Sequence, residues 1–298
     1  MLWLALAVAC SLAIAMIFKY GERRGLDRTA VLTVNYAAAA LVSAMLLRGS
    51  DVDGGFVSSA GLLVLGVGLG VLFIAGFYVF AYAIREVGMG LATGVMRLSV
   101  VVPVLASWVL WGEQPSIGQS LGLVLAGVAF FLIARTTPTT PTALTGPTSS
   151  PSSHSGLYAA LVLGGLFLMG GLVDVAFKTF GEVFAADNSR PLFLLFVFSV
   201  ACLTGLIAVV GQGLRSKAWP SGSAVGWGVL LGLVNYGSAD FILRAIAVLP
   251  GPFVFPANSI AIVMGAAVLG IVVWGERLSK ANWAGLGLAA AALVLLTR

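Results

Sequence analysis

Apolar residues run along this chain in blocks of 18 to 26 positions, divided by short breaks that carry charge, proline or glycine. Ten blocks are legible, at 2–19, 30–48, 59–84, 90–111, 116–134, 156–180, 191–214, 223–247, 252–274 and 280–297. A hydrocarbon core about 30 Å thick is crossed by about 20 helical residues. In lipid every backbone polar group needs an internal partner, which leaves helices or closed barrels. The strict alternation of barrel strands is absent, so the pattern predicts ten transmembrane helices.

The blocks are duplicated. Trp111-Gly112-Glu113 returns 163 residues later as Trp274-Gly275-Glu276. Over the 25 residues Trp111–Arg135 and Trp274–Arg298, 11 positions are identical, among them Ser116/Ser279, Gly122/Gly285 and Ala129/Ala292. Phe18-Lys19 with Gly21-Glu22 at the end of span 1 has its counterpart in Phe177-Lys178 with Gly181-Glu182 at the end of span 6. Between spans 5 and 6 lies Thr136–Ser155, rich in Ser, Thr and Pro and without Asp, Glu, Lys or Arg, which reads as a linker. The predicted organisation is a first repeat over 1–135, a linker over 136–155 and a second repeat over 156–298. Five crossings per repeat is an odd number, so the repeats enter the membrane from opposite faces. This inverted-repeat topology is one from which alternating-access carriers are built.

Composition agrees with a bilayer solvent. Hydrophobic residues make up 60% of the chain and charged ones 9%, and mean hydropathy is +1.07, far from a water-soluble surface. Cys10 and Cys202 fall inside spans, where a thiol behaves as a small hydrophobe, so neither a disulfide framework nor a metal site is expected. The single histidine, His154, sits in the linker, and no Cys-His cluster or Gly-Lys-Ser/Thr loop occurs. Metal, phosphate-loop and Ser-His-Asp chemistry are therefore unsupported. No cofactor, enzymatic activity or nucleic-acid partner is expected.

Pro103 within LSVVVPVLASWVLWGE of span 4, a carboxylate closing that span and a glycine-containing span 5, with much of this pattern repeated in the second half, resemble the drug/metabolite transporter superfamily in its EamA-like branch. The resemblance covers the whole chain. It implies an all-α integral membrane protein of ten transmembrane helices, arranged as two inverted five-helix repeats around a central cavity lined mainly by spans 1, 3, 4, 6, 8 and 9. One departure is Ala266, which stands opposite Pro103 at the 163-residue offset. A helix distortion in span 4 thus has no direct counterpart in span 9, where Pro250, Pro252 and Pro256 are the replacement. The side of the membrane stays open. Loop charges place both termini outside by the positive-inside rule, ten Lys and Arg against five, whereas the family resembled usually keeps both termini in the cytoplasm.

Ionisable residues inside spans are the costliest to place, at least about 2.5–3.5 kcal/mol each on insertion. Asp174 and Lys178 are four apart in span 6, and Asp240 and Arg244 four apart in span 8, each acid preceding its base on one helical face. The pairs either neutralise themselves or serve a solute. Arg97 has no acid within a turn of its own helix, so its partner lies on another span, in water or in a cavity. Tyr78 and Tyr82 in span 3, Asn235-Tyr236 ahead of Asp240, and Asn258 after the prolines of span 9 complete the candidate substrate-binding set with Arg97, Asp240 and Arg244. Asp174, Lys178 and Asp240 are candidate coupling groups. Glu113 and Glu276 are assigned instead to capping the helix that follows each.

The function these features favour is a secondary transporter moving a small metabolite, amino-acid-like or drug-like, across the inner membrane as a multi-pass protein. An ion-independent facilitative exchanger, and a non-transporting receptor or assembly subunit, are the alternatives. The expected partners are a small-molecule solute, the lipid bilayer and protons as candidate coupling ion, with monomer and homodimer both open.

Overall fold

The computed structural model of the chain describes residues 1–48, 60–87, 89–135, 156–216, 221–275 and 278–297. The linker 136–155 and Glu276 lie outside the described residues. The helices are α1 (Leu2–Arg23), α2 (Arg28–Arg48), α3 (Ala60–Val87), α4 (Met89–Leu98), α5 (Val101–Trp111), α6 (Ile117–Arg135), α7 (Gly156–Thr179), α8 (Arg190–Ser216), α9 (Gly222–Ile246), α10 (Gly251–Trp274) and α11 (Lys280–Leu296). A π-helical turn, Phe180–Phe184, continues α7, and no strand occurs among the described residues. Eight helical segments are long and apolar enough to cross a membrane. At the places expected for spans 5 and 10 the apolar helices are shorter, Ile117–Ile133 and Lys280–Leu296.

Helix ends explain why the Trp-Gly-Glu motif exists. Gly112 and Gly275 both adopt the left-handed conformation, with φ of 71° and 66°, and close α5 and α10. That conformation costs an L-residue roughly 1–2 kcal/mol and glycine little. At the first copy the Gly112 N–H bonds the Trp108 carbonyl at 3.1 Å, the 5→1 bond of an αL cap, and the Glu113 N–H reaches back to the Ser107 carbonyl at 3.0 Å. The serines that coincide between the copies open the next helices. Ser116 and Gln119 form a reciprocal capping box at α6, and Ser279 Oγ accepts the Asn282 N–H at the start of α11. Each copy is thus a stop signal followed by a start signal.

Pro103 breaks span 4 where its missing N–H demands. The carbonyl four residues earlier, on Ser99, bonds the Val102 N–H at 2.9 Å instead, and the span divides into α4 and α5 across Ser99 and Val100. In span 9, α10 runs unbroken through Ala266. Pro250 precedes its first turn, Pro252 lies within that turn, and Pro256 lies inside the helix.

The helices group into two compact units, one of residues 1–74 and 179–248, the other of residues 75–178 and 249–298. Each draws helices from both halves of the sequence. In the first unit α2 packs along α8 and α9, and α1 along α9. A Cβ on Gly232 of α9 would stand 2.5 Å from the Asn35 carbonyl oxygen and 2.6 Å from Ala38 Cβ, so only glycine permits this approach. Tyr36 stacks between Phe73 and Phe198 at 6.4 Å from each. In the second unit α6 and α11 lie side by side, and Gly122 meets Ala292 while Gly285 meets Ala129. The residues that coincide between the repeats therefore touch one another reciprocally.

Candidate functional site

The second unit carries two ionic arrangements of opposite character. In one, Lys178 in the last turn of α7 is only 1% exposed, and its Nζ donates to Glu113 Oε1 at 2.7 Å. Glu113 Oε2 accepts the Gly251 N–H at 2.9 Å. One carboxylate thus joins the end of α5, the end of α7 and the first turn of α10, where the free amides and helix dipole favour an anion. In the other arrangement Arg97 and Asp174, both partly buried, attract each other electrostatically. Neither makes a hydrogen bond or ion pair with any described residue. Gly170 of α7 packs on Ser99, and Gly171 on Val102.

Other polar groups of this unit are less uniform. Asn258 Oδ1 on α10 and Ser107 Oγ on α5 are buried with no hydrogen-bond partner among the described residues. Tyr82 bonds Tyr158 hydroxyl to hydroxyl, and Tyr78 is exposed.

In the first unit Asp240 of α9 is bracketed by two arginines. Arg190 Nε donates to Oδ1 at 3.1 Å and Arg244 Nε to Oδ2 at 2.6 Å. The Arg244 guanidinium lies 4.8 Å over the Trp3 ring, which itself stacks on Phe241 at 5.9 Å. Tyr236 is buried against Phe198 and within the electrostatic reach of Asp240, Arg190 and Arg244. Asn235, one residue before it, is partly buried. Ser11 and Ser238 share a hydrogen bond of 3.0 Å between α1 and α9.

Residues 1–135 match the EamA-like transporter family. That family's domain is one of the drug/metabolite transporter superfamily. The chain is also similar to an uncharacterized protein of Haemophilus influenzae, 26% identical over 289 residues, a match covering 95% of this chain and 93% of the relative. A protein of known crystal structure shares the fold, with a TM-score of 0.72 at 15% identity over 99% of this chain and 96% of that one. This match over residues 1–135, together with eight apolar helices, supports a multi-pass membrane protein in contact with lipid.

The structure changes three expectations. The Asp174–Lys178 pairing gives way to Lys178 with Glu113, and Asp174 turns to Arg97, because each base finds a carboxylate on another helix. Asp240 and Arg244 do pair, but as two thirds of a three-residue cluster whose third member, Arg190, is 50 residues away. Glu113 is a capping carboxylate as expected, yet it caps α10 rather than the adjoining α6, whose amides Ser116 and Gln119 already serve. Sequence spacing carried no signal for Arg190, Trp3 or the Glu113 contacts. Asp240 with a single counter-charge, preceded in the chain by an arginine opening span 7, is the nearest available hint.

Proposed function

We propose that this chain is a secondary carrier in the inner membrane, in which two inverted five-helix repeats, 1–135 and 156–298 joined by the linker 136–155, alternate access for a small metabolite. Arg97, Asp174, Asn258, Asn235, Tyr236, Asp240 and Arg244 are the proposed solute contacts. Tyr78 and Tyr82 are secondary contacts. Asp174 and Asp240 are the candidate proton-coupling groups, whereas Lys178 serves structure through Glu113.

The observation that supports this reading most is the Arg97–Asp174 pair. Two opposite charges inside spans, each without a direct partner among the described residues, hold hydrogen-bonding capacity that a solute can use. A group entering between them gains charge-assisted bonds without breaking any existing contact. The test begins with untargeted metabolite profiling inside and outside cells with and without overproduction, which yields solute and direction together. Uptake of that solute into proteoliposomes is then compared for the parent, Arg97→Ala and Asp174→Asn. Loss of uptake in folded variants supports the reading, and parental uptake in both overturns it.

A further inference from the structure

Three groups in the first unit carry more charge than they neutralise. Arg190 and Arg244 face one carboxylate, so the cluster holds a surplus positive charge, and each arginine is 36% exposed while Asp240 is 7% exposed. Both contacts to Asp240 use Nε. No described residue accepts a hydrogen bond from the Nη atoms of either guanidinium, so the outer edges of both forks remain available. Their positions are fixed. Asp240 holds each fork at its inner corner, and Trp3 lies under the Arg244 plane at 4.8 Å. Arg190 also opens α8, where the helix dipole adds positive potential. The Tyr236 phenol stands within electrostatic reach of all three charged groups.

We propose that Arg190 and Arg244, oriented by Asp240 and walled by Trp3, form a binding site for one oxyanion group, a carboxylate or a phosphate. Guanidinium forks match planar or tetrahedral oxyanions by paired N–H donors, which a lysine ammonium does not reproduce. Asp240 acts as the positioning group, turning two mobile arginines into a fixed clamp, and the surplus charge selects an anion over a neutral group. This deepens the transport reading, because Arg244, Asp240 and Tyr236 are among its solute contacts and Arg190 and Trp3 become specificity residues. Binding is nevertheless read without transport, so the two fail separately.

The test titrates the purified protein in neutral detergent with sodium acetate and with inorganic phosphate against sodium chloride at matched ionic strength, following tryptophan emission and thermal stability. A parallel titration uses nanodiscs of phosphatidylcholine with and without phosphatidylglycerol. The expected result is a saturable response to acetate or phosphate beyond chloride. The emission change is lost in Trp3→Phe, and apparent affinity falls about tenfold in Arg190→Gln and in Arg244→Gln, the loss of one charge-assisted donor set. Each glutamine variant leaves Asp240 with the other arginine as a neutral pair, so folding is retained. Lys280→Gln, at an exposed cation opening α11, keeps the parental response. A response in nanodiscs with phosphatidylglycerol and none in detergent keeps the clamp, assigns its oxyanion to a lipid headgroup and removes it from the solute path. No response beyond chloride in either setting, or an unchanged one in Arg190→Gln, overturns the proposal.

Discussion

Glu113→Ala is expected to be among the most destabilising single substitutions in this chain, and Lys178→Met one of the mildest at a buried charge. The two partners of the ion pair are not equivalent. Lys178 is 1% exposed, whereas Glu113 is 25% exposed and also accepts the Gly251 N–H. Removing Glu113 takes from the buried ammonium its carboxylate partner at 2.7 Å, which costs about 3–5 kcal/mol, and strips an acceptor from the first turn of α10, adding about 1–3 kcal/mol. Removing Lys178 leaves Glu113 partly hydrated and still bonded at a helix N-terminus, where a carboxylate is favoured. A methionine fills the volume of the lysine stem, so the expected loss is about 1 kcal/mol or less.

Equilibrium unfolding in mixed micelles measures the series Glu113→Ala, Glu113→Gln, Lys178→Met and the double variant Glu113→Ala/Lys178→Met. The glutamine variant keeps an acceptor for Gly251 and falls between the extremes. The double variant recovers most of the loss in Glu113→Ala, because the buried charge that lost its carboxylate is gone and only the Gly251 amide has lost its acceptor. A Lys178→Met variant as unstable as Glu113→Ala, or a double variant no better than Glu113→Ala, would refute the assignment of Lys178 as a buried charge held by Glu113.

Gly232→Ala is expected to lower stability by about 1–3 kcal/mol because its Cβ meets the α2 backbone, whereas Gly226→Ala on the same helix meets nothing within 4 Å and is neutral to about 1 kcal/mol stabilising; thermal unfolding of both variants checks the contrast. Gly112→Ala is expected to cost about 1–2 kcal/mol through its left-handed φ, measured in the same way, and an unchanged midpoint would show that the α5 terminus relaxes. The double replacement Arg97→Met/Asp174→Leu is expected to hold stability or raise it by about 1–4 kcal/mol while abolishing uptake of the profiled solute in proteoliposomes. Loss of stability in that double variant would mark the pair as structural.

Much of the fold was legible because membrane crossing is written in long apolar runs, and most helix ends fall within a few residues of the expected block boundaries. The local stop and start signals were also present, since Gly112, Ser116 and Ser279 act through their own backbone neighbours. The break in span 4 followed from Pro103 for the same reason. Tertiary partners were not legible. Lys178 to Glu113 spans 65 residues and Glu113 to Gly251 spans 138, and nothing in local spacing says which helix presents a carboxylate to a given base. The i,i+4 rule reads one helix at a time, so it found Asp240 with Arg244, missed Arg190 and assigned Lys178 to the wrong acid. The coincidence of Gly122/Gly285 with Ala129/Ala292 was visible as repetition, but its meaning as one reciprocal contact needs the helices side by side.

The ionic groups of this chain differ in how completely protein contacts use their hydrogen-bonding capacity, and that difference separates structure from binding. A buried ion earns stability only when its donors and acceptors are met. Lys178 and Glu113 meet that condition, with the carboxylate engaged at both oxygens, so any incoming group would have to break a contact first. Asp240 is likewise engaged at both oxygens, but its two arginines offer outer edges that nothing described in the protein occupies. Arg97 and Asp174 stand at the far end of the series, attracted across a gap and bonded to none of the described residues. A solute group gains most where capacity is unused and least where it is already satisfied. On that ranking the mid-span pair is the strongest candidate for contact with a transported molecule, the double-arginine clamp the next, and the Glu113 junction a fixed part of the scaffold.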